Sequence, residues 1–422
     1  MDILRIHGGT PLNGETHVYG AKNAALPILA ATVMVSGTSV IEDVPDLEDV
    51  RVMMQILERL GARVRWSAPG TIEVDASTIN KTDVPAELMQ RMRSSIFLMG
   101  PMLARFGEVT LSKPGGCVIG QRPIDYHLHG MRQLGAKIDE QHGYIRCTTR
   151  RLVGTSITLD FPSVGATENL MMAAALADGV TVIENAAREP EVADLAQFLL
   201  ATGATIDGAG EDTVVVRGCS NLHGSAYRIV PDRIVTGTLL LAAAATHGEI
   251  TLHGAQSGHL GAILQKLRDT GVRVDVDRDI ITVKCEQHPR AVDFRTAPFP
   301  GFPTDLQAPF MALLTTANGT GVIHESVFEA RFKHVDELKR MGADIAVDLR
   351  TAVVRGVQSL SGARVVASDL RAGAALLVAG LMADGVTEVE GVHHIDRGYQ
   401  SIERHLQTLG ARIERVSNQV PV

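Results

Sequence analysis

The chain has 422 residues, 45% of them hydrophobic and 21% charged, and carries a formal net charge of −8. Such a length exceeds one ordinary hydrophobic core and points to two domains of about 200 residues each. The acidic balance argues against broad nucleic-acid binding, and an acidic protein that handles anionic substrates must gather its positive charge locally.

The N-terminal run Met1-Asp-Ile-Leu-Arg-Ile-His7 lacks a basic start followed by an apolar stretch, so it does not read as a signal peptide. Within it, Ile3-Leu-Arg-Ile6 reads as a strand. The first helix starts in Gly20-Ala-Lys-Asn-Ala-Ala25, and Thr71-Ile-Glu-Val74 supplies the second strand of a hairpin. A second helix start lies in Gln90-Arg-Met-Arg-Ser-Ser95. Then comes Pro114-Gly-Gly-Cys-Val-Ile-Gly-Gln-Arg-Pro-Ile-Asp125, a thiol among glycines with Arg122 five residues on. Glycine opens backbone conformations that other residues avoid, so this run reads as a mobile loop. A nearby guanidinium lowers a thiol pKa, which makes Cys117 a candidate reactive cysteine; the alternative is a surface loop with an incidental thiol. Further helix starts follow in Ser163-Val-Gly-Ala-Thr167, Pro231-Asp-Arg-Ile234, Pro303-Thr-Asp-Leu-Gln307 and Asp369-Leu-Arg-Ala-Gly373.

Cys147, Cys219 and Cys285 each follow a strand-like run and read as structural. Four cysteines without metal-ligand spacing in so long a chain fit a reducing compartment. The apolar helical runs, such as the one from Ala372 to Ala383, fall short of the ~18 residues a membrane span needs. A cytoplasmic protein without membrane association is the expectation.

A phrase recurs along the chain: an apolar residue or Thr, then Gly, usually Ala, any residue, and Val or Ile. Its glycines are Gly61, Gly135, Gly203, Gly271, Gly342 and Gly410, spaced 74, 68, 68, 71 and 68 residues apart. Several copies follow an Ala-rich helix that ends in Gly and a short strand, as in Met171–Ile183 and Leu239–Leu252. Each unit therefore reads helix, strand, helix, hairpin. The Ala-rich helices lack a polar face and should be buried on all sides. The last copy ends without its second hairpin strand, which Ile3–Ile6 could supply. We expect one three-unit domain in residues 22–230 and a second in 1–21 with 231–422, rather than a continuous six-unit solenoid.

Helix N-termini present free N–H groups and a positive dipole end, which suits anions. Lys22, Arg93, Arg233 and Arg371 sit at such starts against that preference. They either pair with acids or await an anion, and their recurrence at equivalent positions favours the anion. Arg331 and Arg397 lie in loops, and arginine suits bidentate carboxylate or phosphate binding. Asp305 is a helix-start acid that is also a candidate base for a hydroxyl. No P-loop and no Rossmann glycine motif occurs, and His393-His394 has no second cluster to complete a metal site.

The segments Gly20–Leu26, Cys117–Asp125, Pro162–Thr167, Phe302–Gln307 and His394–Tyr399 resemble the UDP-N-acetylglucosamine enolpyruvyl transferase family, and the resemblance covers essentially the whole chain. It implies an α/β fold of two inside-out domains, three repeats each, with the active site in the interdomain cleft. It implies transfer of the enolpyruvyl group of phosphoenolpyruvate to the 3′-hydroxyl of UDP-N-acetylglucosamine, with release of phosphate and no metal or organic cofactor. In that likeness Cys117 is the general acid, or forms an adduct with phosphoenolpyruvate, and is the thiol that fosfomycin alkylates. Lys22, Arg122 and Arg397 hold phosphate and carboxylate, Arg331 and Arg371 add positive charge, and Asp305 accepts the hydroxyl proton. Asn23, Arg93, Arg122, Pro123, Ile124, Asp125, Tyr126, Ser163, Val164, Gly165 and Val327 resemble the UDP-sugar positions, although Tyr126 stands where the family pattern has leucine. The alternatives are the shikimate-pathway enolpyruvyl transferase, whose Gly-Asn-Ala-Gly-Thr run is missing here, and a catalytically silent paralogue that regulates or binds. The resemblance names no protein partner.

Overall fold

The computed structural model describes residues 2–113 and 124–417. These divide into two compact units, the first holding residues 20–113 and 124–230, the second residues 2–19 and 231–417. In the first unit the Ala-rich or apolar helices Lys22–Ala31, Met99–Phe106 and Val164–Ala175 form the centre. Each leads into a strand, an outer helix and an antiparallel hairpin; in the third repeat these are Val180–Glu184, Pro190–Ala201, Thr205–Asp207 and Thr213–Arg217. In the second unit the central helices are Arg233–Ala245, Gln307–Leu314 and Leu370–Met382.

Burial follows composition. From Ile234 to Ala245 every residue is buried, as expected of a helix with no polar face. Small residues let these helices approach closely. A Cβ on Gly100 would lie 2.3 Å from the carbonyl oxygen of Asn169, and one on Gly237 would lie 2.3 Å from a Leu306 methyl. The sheet strands instead alternate, burying one face against the helices, as Ile72 and Val74 do in Thr71–Asp75. Helices inside and sheets outside is thus the arrangement within each unit.

The six repeat glycines all adopt left-handed backbone, with φ between +90° and +109°. Each lies just past an outer helix and turns the chain into the hairpin, a conformation that costs glycine little and other residues more. This is the physical reason for the phrase anchored on glycine.

The sheets contain a strand that the repeat phrase does not reveal. Ser156–Thr158 pairs parallel with Val180–Glu184, ahead of the hairpin, so that strand, central helix and strand form a parallel crossover. Phe294–Arg295 and Arg364–Val366 do the same in the second unit. These edge strands run two or three residues, too short for alternation to show. The N-terminal strand Asp2–His7 lies between Val386–Glu390 and Arg412–Ser417, antiparallel to both, and completes the last repeat. Among the described residues no helix is long and apolar enough to cross a membrane.

Two of the expected helix starts sit differently. Arg93 opens a 3₁₀ stretch, Arg93–Leu98, and the central helix begins only at Met99. Asp305 lies on the 3₁₀ turn Thr304–Leu306 ahead of Gln307. Neither side chain occupies the first turn of an α-helix, so the dipole argument made for that position does not apply to them.

Candidate active site

In the first unit, Lys22 begins its helix and its Nζ lies 3.3 Å from Asp49 Oδ2. Asp49 comes from the next helix, Glu48–Leu60, and is buried. The cation at an unfavourable helix start is thus offset by a carboxylate, the first of the two alternatives that its placement left open. Asn23 and Arg93 are half-buried. Ser163 caps its helix, its Oγ accepting from the Ala166 amide at 3.4 Å, and Val164 and Gly165 form the first turn. Gly165 packs on His127, where a Cβ would meet the ring at 3.3 Å. Ile124 precedes and Asp125 opens the helix Asp125–Gln133; Asp125 is exposed, whereas Ile124 and Tyr126 pack on the core. Cys117, Arg122 and Pro123 lie outside the described residues.

The buried Asn169 ties the first unit's site segments together. Its amide donates to the Ile96 carbonyl at 2.8 Å and to His127 Nδ1 at 3.0 Å, and its Oδ1 accepts from the Gly100 amide at 2.7 Å. The stretch opened by Arg93, the helix opened by Asp125 and the helix capped by Ser163 are thereby held as one.

In the second unit the central feature is Asp305. Its Oδ1 accepts from Arg331 Nη2 at 2.6 Å and its Oδ2 from Arg371 Nη2 at 2.7 Å. The side chains of Arg331 and Arg371 are 4% and 9% exposed, that of Asp305 27%. Burial would raise the Asp305 carboxyl, but the charges and hydrogen bonds of Arg371 and Arg331 outweigh it and hold it far below the usual carboxylate range. The guanidinium of Arg371 responds in kind: burial would lower it, and Asp305 raises it above its ordinary value. Arg371 also donates to Tyr399 Oη at 3.3 Å, and Tyr399 pairs with Thr238 Oγ1 at 2.9 Å. Asp232 and Asp369 cap their helices, each accepting from two backbone amides. Burial pulls His334 down to about 4, so it adds no charge beside Arg331 at neutral pH. Arg397, half-buried, sits in the turn after Val392–Ile395.

Glu325 organises this half. Its Oε1 accepts from Thr296 Oγ1 at 2.8 Å and from the amides of Val327 and Phe328 at 2.9 and 3.1 Å, and its Oε2 from Thr304 Oγ1 at 2.9 Å. One buried carboxylate therefore fixes both the turn that carries Asp305 and the loop through Val327 to Arg331. Glu325, Asp49, Asn169 and Tyr399 were not singled out from the sequence as site residues. A helix-cap signal was available for Asp232 and Asp369, each one or two residues ahead of an apolar helix; the partners of Glu325 and Asp49 have no local signature.

A carboxylate between two arginines is a stable anion and a weak base in this arrangement. It can take a proton from a hydroxyl only as that hydroxyl becomes acidic by bonding to an electrophilic carbon. Within the second unit, Arg331 and Arg371 together carry one more positive charge than the single carboxylate of Asp305 that they share.

The sequence profile of the EPSP synthase (3-phosphoshikimate 1-carboxyvinyltransferase) family matches residues 6–406. UDP-N-acetylglucosamine 1-carboxyvinyltransferase 2 of Caldanaerobacter subterraneus subsp. tengcongensis is 52% identical over 417 residues, covering 99% of this chain and 100% of that protein. UDP-N-acetylglucosamine 1-carboxyvinyltransferase 1 of Symbiobacterium thermophilum is 53% identical over 416 residues, covering 97% and 94%. The crystal structure of the enolpyruvyl transferase NikO from Streptomyces tendae superposes with a TM-score of 0.90 at 29% identity, covering 98% of this chain and 99% of that one. EPSP synthase from Acinetobacter baumannii gives 0.77 at 17% identity, covering 99% and 100%, a likeness of fold alone. The chain belongs to the EPSP synthase family of carboxyvinyltransferases and, within it, to the UDP-N-acetylglucosamine 1-carboxyvinyltransferases.

Proposed function

We propose that this enzyme transfers the enolpyruvyl group of phosphoenolpyruvate to the 3′-hydroxyl of UDP-N-acetylglucosamine and releases phosphate, a step of peptidoglycan precursor synthesis. The observation that carries the acceptor is the 52% identity over 99% of the chain to a protein of that name. The solved EPSP synthase, at 17%, speaks for fold and not for shikimate 3-phosphate. By this reading the reaction serves cell-wall growth, cell shape and cell division, and runs in the cytoplasm.

Protonation of the methylene carbon of phosphoenolpyruvate, with Cys117 as the acid, generates an oxocarbenium-like centre. The sugar hydroxyl attacks that carbon and passes its proton to Asp305. A tetrahedral intermediate results, and return of a methyl proton to the thiolate left on Cys117, with departure of phosphate, restores the double bond. Lys22, Arg122 and Arg397 bind the phosphate and carboxylate. The pairing of Asp305 with Arg331 and Arg371 supports this assignment: it keeps the base ionised and sets two cations beside the charge that develops. Asn23, Arg93, the segment from Arg122 to Tyr126, Ser163 to Gly165 and Val327 are assigned to the UDP-sugar.

The test is phosphate release from phosphoenolpyruvate with UDP-N-acetylglucosamine or shikimate 3-phosphate supplied separately. Release that requires the UDP-sugar supports the reading; release only with shikimate 3-phosphate, or with neither, refutes it. Fosfomycin should alkylate wild type and spare an active Cys117→Asp variant; equal labelling by mass spectrometry would sink the role of Cys117.

A further inference from the structure

The candidate site residues of the first unit sit at the N-terminal ends of its central helices. A second concave site lies at the opposite ends. Its volume is about 410 Å3, and it is lined by the C-terminal residues of those helices and by the loops after two hairpins. Lys22–Ala31 has ten residues, so the two ends are separated by roughly 15 Å.

The lining is unusual in charge. Arg105, Arg150 and Arg151 face this space and no acidic residue lines it among the described residues, in a protein whose net charge is −8. Helix C-termini direct carbonyl oxygens here, which would attract a cation. Arg105 answers part of that demand by donating to the carbonyls of Val33 and Ala76 at 2.6 and 3.0 Å. It has no carboxylate partner among the described residues, although burial penalises its charge. Arg151 pairs with Asp178 at 2.7 Å. Arg150 makes no hydrogen bond or ion pair among the described residues. Among the described residues two positive charges are therefore left without an acid in one concavity, whose lining also includes Ser36 and Thr149, their hydroxyls already donated to Asn221 Oδ1 and the Arg151 carbonyl.

We propose that this cavity is a binding site for a small organic phosphate. Arginine donors match the several acceptor oxygens of a phosphate, which can take bonds from more than one direction. The volume exceeds that of the phosphate group alone and leaves room for an organic substituent. The inference stands on this unit's geometry and does not depend on the acceptor or chemistry proposed above.

The experiment is isothermal titration of the full chain with two probes, inorganic pyrophosphate and adenosine diphosphate. It is run on wild type, on Arg150→Ser, and on Lys22→Ala, which removes a cation at the other end of the helices. Arg150 is exposed, so its replacement should leave the fold intact. Saturable binding of both probes is expected, tighter for adenosine diphosphate. Arg150→Ser should weaken it at least about tenfold, while Lys22→Ala leaves it within about twofold of wild type. Binding lost in Lys22→Ala and retained in Arg150→Ser would overturn the proposal, as would no binding of either probe at millimolar concentration.

Discussion

Replacing Asp305 by asparagine keeps the shape of the side chain and removes the charge that two buried guanidinium groups share. Arg331 and Arg371 lie 2.6 and 2.7 Å from its two oxygens. Removing one partner of a buried ion pair costs about 3–5 kcal/mol, because the other charge stays buried and uncompensated. Here two cations lose their partner, but the carboxylate is 27% exposed and water can reach the gap. We therefore expect a loss of about 2–4 kcal/mol, which for a unit of this size is roughly a 5–15 °C fall in melting temperature. Calorimetry across pH adds a check of sign. The carboxyl is held far below its unfolded value, so its contribution is fully present above the unfolded pKa of about 3.9 and declines as pH falls below it. The gap between wild type and variant should stay constant from pH 8 to pH 5 and narrow under more acidic conditions. Added phosphate should raise the melting temperature of the variant more than that of wild type, since an anion can replace the missing charge. A change of less than about 0.5 kcal/mol, the range of an ordinary surface substitution, would refute the reasoning. So would a gap that widens as pH falls.

Other perturbations probe different parts of the molecule. Asn169→Leu strands the Gly100 amide and the Ile96 carbonyl in the core; at about 1–3 kcal/mol for each orphaned group, urea unfolding should register a loss of about 2–6 kcal/mol, and a cost under 1 kcal/mol would contradict the assigned bonds. Glu168 is fully buried with neither oxygen hydrogen-bonded among the described residues, and burial, then Glu191 and Glu189, raise its carboxyl well above the ordinary value. A raised carboxyl costs the fold stability as pH climbs past the unfolded pKa of about 4.3. Glu168→Gln should therefore melt higher than wild type at pH 8 and match it near pH 4; a variant less stable at pH 8 would reverse the sign and the argument. Burial pushes the Cys147 thiol up to about 12 and the Cys285 thiol up to about 11, so iodoacetamide at pH 8 should leave both unmodified in the native protein, and peptide mapping that finds either one labelled as fast as in urea would count against their burial.

Much of the fold was legible because it rests on contiguous residues. The six glycines that need left-handed backbone, the helices without a polar face and the alternating hairpin strands each declare themselves within a dozen residues. The candidate site was legible as a set of cations and one acid, through segments that also carry the family likeness. Its wiring was not. Lys22 meets Asp49 across 27 positions, and Asp305 meets Arg331 and Arg371 across 26 and 66. Glu325 looks in the sequence like any acid after a strand, yet it is buried and holds both the Asp305 turn and the Val327 loop. The parallel edge strands escaped notice because two or three residues carry no period.

By itself the sequence determined the repeat, the local conformations and the chemical inventory, since backbone preference and hydrophobic period depend on residues adjacent in the chain. Only the tertiary structure decided which charges neutralise one another. The sequence already pointed to Ile3–Ile6 as the missing strand of the last repeat; the tertiary structure decided its register and set Arg5 between Glu388 and Glu414. Those outcomes turn on distances between residues far apart in the chain, and such distances are set when the repeats pack, not when any one of them forms.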